Sequence, residues 1–312
     1  MKQAFSTFLI IATIGLMAGG LTSCRKDTEN IDIKTYDQQQ IQAYISSHNL
    51  TGYTRDLTGG DTTGIYYKIT KQGTGTALDY PDLVFYVYTA TSLDGKYTLS
   101  DTAVNHAYNY VGHLTPPGLQ LAIKNLLKYR GTQAHVIIPS RLAYGATGQG
   151  TGSTRLPGNE SLDYYINMVD PSQQAAYDDL VIRNYMTTNG LSGFTKTASG
   201  LYYKITQQGT GKSVPTPNST IGVQFNGRLM NGVIFDYYTA SDSSASPRDY
   251  AEIPKGWQEG FKNVTKGTNL SLIIPSALGY GLTPSSPYGF SVSSPGPNSC
   301  LYYDFTIESI TN

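Results

Sequence analysis

The chain has 312 residues, with 22 basic and 22 acidic side chains, 39% hydrophobic residues and only 14% charged ones. This balance excludes a strongly basic nucleic-acid binder and an intrinsically disordered chain. The 33 Gly, 15 Pro and 26 Tyr residues favour turn-rich β structure with aromatic strands, and the length is that of one large or two ordinary domains.

The N-terminal segment reads as a targeting signal. Lys2 gives it a positive start, and an apolar run from Phe8 to Leu21 leads into Leu21-Thr22-Ser23-Cys24. The run contains Thr and Gly residues and is shorter than the roughly 18 apolar residues of a membrane-spanning helix. The segment resembles a bacterial lipoprotein signal, in which the cysteine is lipidated and becomes the mature N-terminus. We therefore predict a signal peptide at 1–23, lipidation of Cys24 with a tether at 24–35, and a lipid-anchored place in the cell envelope, with the outer membrane preferred.

The remaining thiol and imidazole groups give no signal of metal or covalent chemistry. Once Cys24 carries lipid, Cys300 has no partner for an internal disulfide, and we expect it to pack beside a strand. A nucleophilic role for Cys300 is the alternative, but its sequence neighbourhood offers no His. The four His residues lack the spacings typical of zinc sites, so we predict no metal and no other cofactor.

One short motif imitates a phosphate-binding loop. Gly209-Thr210-Gly211-Lys212-Ser213 matches the end of that motif, but Thr206 stands where its first Gly is required. Two prolines, Pro215 and Pro217, follow where a helix should begin. Nucleotide binding is therefore excluded as a prediction, and nothing in the charge distribution favours nucleic acid.

The chain contains an internal duplication with a constant offset of 136 residues. Residues 64–75 recur at 200–211, and Ile137-Ile138-Pro139 recurs at Ile273-Ile274-Pro275. Two blocks in one register, about half the chain apart, indicate two copies of one domain. We define a first unit, residues 36–170, and a second unit, residues 171–312.

Each unit shows the same succession of predicted elements. An amphipathic helix opens each copy, with an apolar face at helical spacing. The helix faces are formed by Tyr36, Gln40, Ile41, Tyr44 and Ile45, and by Tyr177, Leu180, Val181, Tyr185 and Met186. Short β runs follow at 66–70, 83–89, 135–138, 221–225, 270–274 and 301–307, with second helices at 119–127 and 257–264. Mostly antiparallel strands with one helix on a face predict an α+β fold.

Several segments of the second unit stand in a characteristic order and spacing. They are Val223-Gln224-Phe225-Asn226-Gly227, Asn231-Gly232-Val233-Ile234-Phe235-Asp236, Ile253-Pro254-Lys255-Gly256-Trp257-Gln258-Glu259-Gly260, Ile273-Ile274-Pro275, Leu278-Gly279-Tyr280-Gly281, and Pro297-Asn298 before Leu301-Tyr302-Tyr303. By these segments the second unit resembles the FKBP-type peptidyl-prolyl isomerase family from about Ser199 to Ile310. The resemblance implies two tandem FKBP-like domains, each an antiparallel half-barrel sheet wrapped on a short helix and preceded by an amphipathic helix.

The resemblance assigns roles to individual side chains. It implies that Trp257 forms the floor of a pocket and that Tyr280 and Asp236 make polar contacts. Further aromatic walls and a substrate-binding rim complete the predicted site. The walls are Phe225, Phe235 and Tyr303, and the rim is Tyr250, Ile253 and Pro254. Each aromatic taken alone also fits ordinary core packing.

Two departures from the family pattern concern residues that would bind the substrate. Pro254 stands where the family has an apolar residue whose backbone N–H holds a substrate carbonyl, and proline has no N–H. The isoleucine that the family carries before Pro297-Asn298 is replaced within Ser293-Ser294-Pro295-Gly296.

The first unit departs further. Aligning Ile123-Lys124-Asn125-Leu126 with Phe261-Lys262-Asn263-Val264 places Leu119 opposite Trp257. The Phe-Asp pair is missing, with only a displaced Asp101 nearby, although Tyr88, Tyr144 and Tyr164 keep matching positions. We expect the first unit to be a folded binding or spacer module with little isomerase activity.

Two functions remain open at this stage. The first is a lipid-anchored peptidyl-prolyl cis-trans isomerase that acts on proline-containing segments of unfolded or envelope proteins, mainly through the second unit. The second is a non-catalytic chaperone or protein-binding lipoprotein that uses the same aromatic cleft. The residues matching Phe235-Asp236, Trp257 and Tyr280 favour the enzyme, whereas Pro254 and the altered loop favour the binder.

Overall fold

The computed structural model describes residues 31–100, 106–152, 155–239, 247–283 and 294–312. The predicted signal peptide, Cys24 and Asp101 lie outside these ranges. Within them, no helix combines the length and the apolar character that a membrane crossing requires. The same ranges contain no group of three or more His, Cys, Asp or Glu residues that could hold a metal ion.

The first unit is an antiparallel sheet preceded by one helix and covered by another. Helix α1 is Ile33–Ser47, and helix α2, Pro117–Leu121, continues as a π-helix over Ala122–Leu127. A helical turn at Thr58–Asp61 and short 3-10 turns at Val111–His113 and Ser140–Leu142 lie between strands. The strands are β1 Thr54–Arg55, β2 Tyr66–Lys71, β3 Leu83–Ser92, β4 Thr98–Ser100, β5 Ala107–Tyr110, β6 Gln133–Ile138 and β7 Leu162–Met168.

The second unit repeats this plan. A 3-10 turn at Pro171–Gln173 leads into helix α3, Gln174–Thr188, and helix α4 is Lys255–Phe261. A further 3-10 turn spans Ser276–Leu278. The strands are β8 Thr195–Lys196, β9 Tyr202–Gln207, β10 Thr220–Leu229, β11 Ile234–Tyr238, β12 Arg248–Asp249, β13 Asn269–Ile274 and β14 Leu301–Thr311. Strands β9 and β10 are joined without a helix.

The two sheets have the same topology, which confirms the duplication. In the described residues each sheet has seven strands, ordered β1-β2-β6-β7-β3-β4 and β8-β9-β13-β14-β10-β11, and β5 and β12 pair with the long strands β3 and β10. Every pairing is antiparallel. The predicted α+β class with one helix against each sheet is therefore confirmed.

The covering helix approaches the sheet at a glycine in both units. A Cβ built on Gly118 would be 2.3 Å from Cγ2 of Ile138, and one built on Gly256 would be 2.5 Å from Cγ2 of Ile274. Because the two glycines have equivalent neighbours, the residues that follow them are equivalent too. The predicted match of Leu119 with Trp257 is therefore confirmed by the geometry.

The opening helices exist as predicted, but their buried face differs from the predicted one. Helix α1 begins at Ile33, three residues before the predicted start of the first unit, because Asp32 caps it by accepting the N–H of Lys34 at 2.9 Å. In α3, Asp178 and Ile182 are the buried residues, whereas Leu180 is 45% exposed. The prediction that placed Leu180 on the packed face was wrong, because a carboxylate occupies that face.

Asp178 is buried because it binds the turn that leads into the predicted site. Its Oδ2 accepts hydrogen bonds from the backbone N–H of Ser276 at 2.9 Å and from the hydroxyl of the same residue at 2.6 Å, and its Oδ1 accepts a hydrogen bond from Gln174 Nε2 at 2.8 Å. A buried carboxylate is tolerated when its oxygens are hydrogen-bonded in this way. Asp37 is the equivalent buried residue of α1, where it accepts the N–H of Arg141 at 3.3 Å.

Cys300 packs between α3 and the sheet, as expected. It lies in a cluster with Ile182, Tyr202, Ile273 and Tyr302. Complete burial raises the pKa of its thiol, and the nearby Asp178 adds to this effect. Because the thiolate is the nucleophilic form, this position disfavours a nucleophilic role for Cys300.

Candidate active site

Helix α4 holds Trp257 against the second sheet. Pro254 is the N-cap of this helix, and its carbonyl accepts the N–H groups of Trp257 at 2.9 Å and of Gln258 at 3.0 Å. Proline suits this position, since it needs no donor there and its backbone angle is fixed. Together with the close approach at Gly256, this geometry directs the indole into the sheet.

Three aromatic rings surround the indole edge to face. The ring centroids of Phe225, Tyr303 and Phe305 lie 5.1, 5.0 and 4.7 Å from that of Trp257, with interplanar angles of 66°, 82° and 78°. Phe235 contacts Tyr303 in the same manner at 5.5 Å. Edge-to-face pairs at these distances are favourable beyond the area they bury, by roughly 0.5–1.5 kcal/mol each. The predicted floor and walls are therefore brought together.

These inner rings are fully covered, and a partly exposed rim lies around them. Trp257, Phe235 and Tyr303 have no exposed surface, and Phe225 is 5% exposed. Tyr250 and Tyr280 pack against the cluster and remain only partly buried, and the hydroxyl oxygens of Tyr280 and Tyr303 are 3.4 Å apart. A ligand of this cluster would therefore meet the partly exposed Tyr250 and Tyr280 before the fully covered indole.

Asp236 lies in the same cross-strand row as Tyr303. The pairing register sets Asp236 of β11 opposite Gly227 of β10, and Gly227 opposite Tyr303 of β14. Asp236 has no exposed surface. A Cβ on Gly227 would be 2.6 Å from Cε1 of Tyr303. The glycine therefore leaves room over β10 for the ring of Tyr303 from the neighbouring strand β14.

The predicted substrate-binding rim is tied to α4. Gln258 Nε2 donates to the carbonyl of Ile253 at 2.8 Å and to that of Ala251 at 3.2 Å, while the hydroxyl of Tyr250 donates to the carbonyl of Gln258. Ile253 is buried and its N–H donates to the carbonyl of Asp249 at 3.3 Å. Pro254, Ile253 and Tyr250 thus form a continuous segment beside Trp257.

Sequence reasoning missed three rings of the cluster. The ring centroid of Phe261 lies 5.9 Å from that of Trp257, and that of Tyr238 lies 6.4 Å from that of Phe225. The ring of Phe305 stacks on that of Tyr303. Two signals were present in the chain. Phe261 follows Trp257 by one helical turn, and Leu301, Tyr303, Phe305 and Ile307 alternate along β14.

The geometry agrees with an independent comparison of sequences. The profile of the family described as FKBP-type peptidyl-prolyl cis-trans isomerase matches residues 211–308, which hold every residue of this cluster. The second unit is an FKBP-type domain.

Several known proteins are similar to part of this chain. An FKBP-type peptidyl-prolyl cis-trans isomerase FkpA of Buchnera aphidicola is 36% identical over 124 residues, 39% of this chain and 45% of that protein. The peptidyl-prolyl cis-trans isomerase Mip of Coxiella burnetii is 33% identical over 134 residues, 41% of this chain and 53% of that protein. The crystal structure of FkpA from Escherichia coli has 26% identity, covers 45% of this chain and 62% of that chain, and gives a TM-score of 0.35. The chain thus spans about half or less of the length of these two curated relatives.

The first unit keeps the scaffold of the FKBP-type domain and replaces its cluster. Leu119 takes the place of Trp257, and Ile166 pairs with Tyr88 as Phe305 pairs with Phe225. Leu99, opposite Ala90, occupies the register position of Asp236. What remains is a group of tyrosines, with Tyr88 and Tyr164 at 5.9 Å between ring centroids. Burial raises the pKa of Tyr164, and Tyr144 is hydrogen-bonded to it.

Replacing Gly227 by Ala should displace the ring of Tyr303 and loosen the cluster around Trp257. We expect Gly227→Ala to reduce the free energy of unfolding by about 1–3 kcal/mol, the usual cost of overpacking, and to change the emission of the single Trp. Urea unfolding followed by Trp fluorescence measures both effects.

A matched control lies on the same strand. A Cβ on Gly222 meets only the hydroxyl of Ser309, at 2.5 Å, and this small group can rotate away. Gly222→Ala should leave the emission maximum of Trp257 unchanged. Equal emission changes in both variants would contradict the assigned packing of Tyr303.

Proposed function

We propose that the protein is a peptidyl-prolyl cis-trans isomerase that acts through its second unit on proline-containing segments of envelope proteins. Rotation about an X-Pro bond crosses a barrier of roughly 18–20 kcal/mol because the amide loses its resonance. No bond is made or broken. An acceleration of three to four powers of ten requires about 4–5.5 kcal/mol of preferential stabilisation of the twisted amide.

The aromatic cluster is suited to supply this stabilisation. A twisted amide carries less charge separation than a planar one, so a site that removes water and offers ring surface favours it over the ground state. The observation that carries the proposal is Trp257, held edge to face by three rings in a domain of this family, with Tyr280 packed against the same cluster. Neither a nucleophile nor a metal ion is needed for this chemistry.

The grip on the substrate backbone differs from the family pattern at Pro254. We assign the role of carbonyl-holding donor to the preceding residue. The N–H of Ile253 makes a 3.3 Å hydrogen bond to the carbonyl of Asp249, which is at the long end of the range for such bonds. A substrate carbonyl can replace this weak internal acceptor, because Gln258 keeps the rest of the segment in place.

The place of action rests on the N-terminal signal. Lipidation of Cys24 would tether the two units to the cell envelope, where newly exported chains fold. The predicted lipid is carried by Cys24 alone. Removing this residue should therefore release the protein completely from the membrane. Cys24→Ser should therefore move the protein from the membrane fraction to the soluble fraction of cells. Retention in membranes of a variant that has lost residues 1–23 would contradict lipid anchoring.

Catalysis should depend on the indole in the second unit. We expect Trp257→Leu, which installs the residue type of the first unit, to lower kcat/KM on a proline tetrapeptide by about ten- to hundredfold. The matched change in the other unit, Leu119→Met, conserves volume and should leave kcat/KM within twofold of the wild type. Equal losses in the two variants would show that the second unit does not hold the active site.

The second candidate function is binding without catalysis. The absence of an N–H at Pro254 and the full coverage of Trp257 favour it. In that case the full chain binds proline peptides and suppresses aggregation of an unfolded protein, while the isomerisation rate stays at the uncatalysed value. The tetrapeptide assay on the wild-type chain therefore separates the two functions directly.

A further inference from the structure

The first unit contacts the second beside its candidate active site, through strand β5. The segment between Tyr280 and Cys300 has described ends at 281–283 and 294–299. The ring of Tyr108, on β5, lies over Gly296. A Cβ built on Gly296 would be 2.9 Å from Cε1 and 3.2 Å from the hydroxyl oxygen of Tyr108. Only a glycine fits under this ring in its present position.

His106 extends the contact along the same edge. Its imidazole is buried, with ring centroids 4.9 Å from Phe85 of its own unit and 6.1 Å from Tyr177 of helix α3, where the two rings stack at 25°. Burial lowers the pKa of His106, which favours the neutral ring, while the Asp178 carboxylate and the backbone of Asn298 act in the opposite direction. The ring therefore lies between the second unit's helix and the end of its loop.

The second unit connects this contact to the rim of its site. The N–H of Asn298 donates to the carbonyl of Gly281 at 2.6 Å, which joins the two ends of the loop directly after Tyr280. The side-chain amide of Asn298 donates to Gln174 Oε1 at 3.3 Å, and Gln174 in turn binds Asp178, the residue that holds Ser276. A displacement of Asn298 is thereby transmitted to the turn that carries Tyr280.

Leu282 lies near the other end of the segment and faces the first unit across a cavity. It shares a cavity of about 450 Å³ with Leu83, Phe85 and Val169 of the first unit. Both ends of the loop therefore face the same edge of the first unit, one at Leu282 and the other at Gly296.

We propose that the β5 edge of the first unit positions the described ends, 281–283 and 294–299, of the segment that follows Tyr280 in the candidate active site, with Tyr108 and His106 as positioning residues. The inference rests on the proposed isomerase function. The first unit has lost the aromatic cluster, but its edge restrains the loop that borders Tyr280 and so sets how tightly substrate is held. Loosening this contact should raise KM, because the groups that act on the twisted amide stay in place.

A double-mutant cycle at Gly296 and Tyr108 tests the contact. The full chain is used with Cys24→Ser, which leaves Cys300 as its single thiol. Gly296→Ala forces the loop away from the ring and should raise KM for a proline tetrapeptide by about five- to tenfold, with kcat within twofold. Tyr108→Ala should also raise KM, and the double variant should be no worse than Tyr108→Ala alone, since removing the ring removes the clash.

Two further variants separate a positioning role from a general loss of structure. Tyr108→Phe keeps the ring, so Gly296→Ala should still raise KM in that background. Gly279→Ala places its Cβ 3.1 Å from Leu301, within the second unit, so its effect should add to that of Tyr108→Ala. Additive effects for Gly296→Ala and Tyr108→Ala would overturn the proposal.

The labelling rate of Cys300 gives a readout that does not depend on activity. Its thiol is buried two residues after Asn298, so it reacts when the loop opens locally. Tyr108→Ala should raise this rate on the order of tenfold, and Tyr108→Phe should not. Unchanged labelling in Tyr108→Ala would overturn the contact, and faster labelling with an unchanged KM would overturn its role in substrate binding. A wild-type chain without isomerase activity would refute the proposed function instead, while the labelling experiment would still decide whether the contact exists.

Discussion

The candidate site depends on the edge-to-face packing of aromatic rings around Trp257. Two glycines make this packing possible. Gly256 lets helix α4 approach the sheet, and Gly227 leaves space for Tyr303 between neighbouring strands. Because the rings are held by the sheet and the helix, the cluster is assembled without a bound ligand. Preorganisation of this kind is what the proposed reaction, which makes and breaks no bond, would require.

The duplication shows how one scaffold supports different clefts. Both units have the same strand order and the same glycine under the covering helix, yet Leu119, Leu99 and Ile166 replace Trp257, Asp236 and Phe305. The scaffold is specified by strand alternation and glycine positions, whereas the cleft is specified by a few ring positions. A unit that loses those rings can keep its fold and take another role, such as the positioning role proposed for the β5 edge.

The fold and the inner site were predictable from the sequence because they rest on local patterns and ordered motifs. The duplicated blocks, the strands and Trp257 at a helix start all follow from short-range order. The buried face of α3 was not predictable in this way, since Asp178 is buried by hydrogen bonds to Ser276, which is 98 residues away. The contact of Tyr108 with Gly296 was also out of reach, because it depends on how the two units pack and has no periodic signature.

If proline binds at the aromatic cluster, the emission of Trp257 should report it, because Trp257 is the only Trp in the chain. The full chain is titrated with a short proline peptide and with the same peptide carrying Ala in place of Pro, while Trp emission is recorded. We expect a saturable change in emission with the proline peptide and none with the alanine peptide. A proline peptide that the chain isomerises without any change in emission would contradict this expectation.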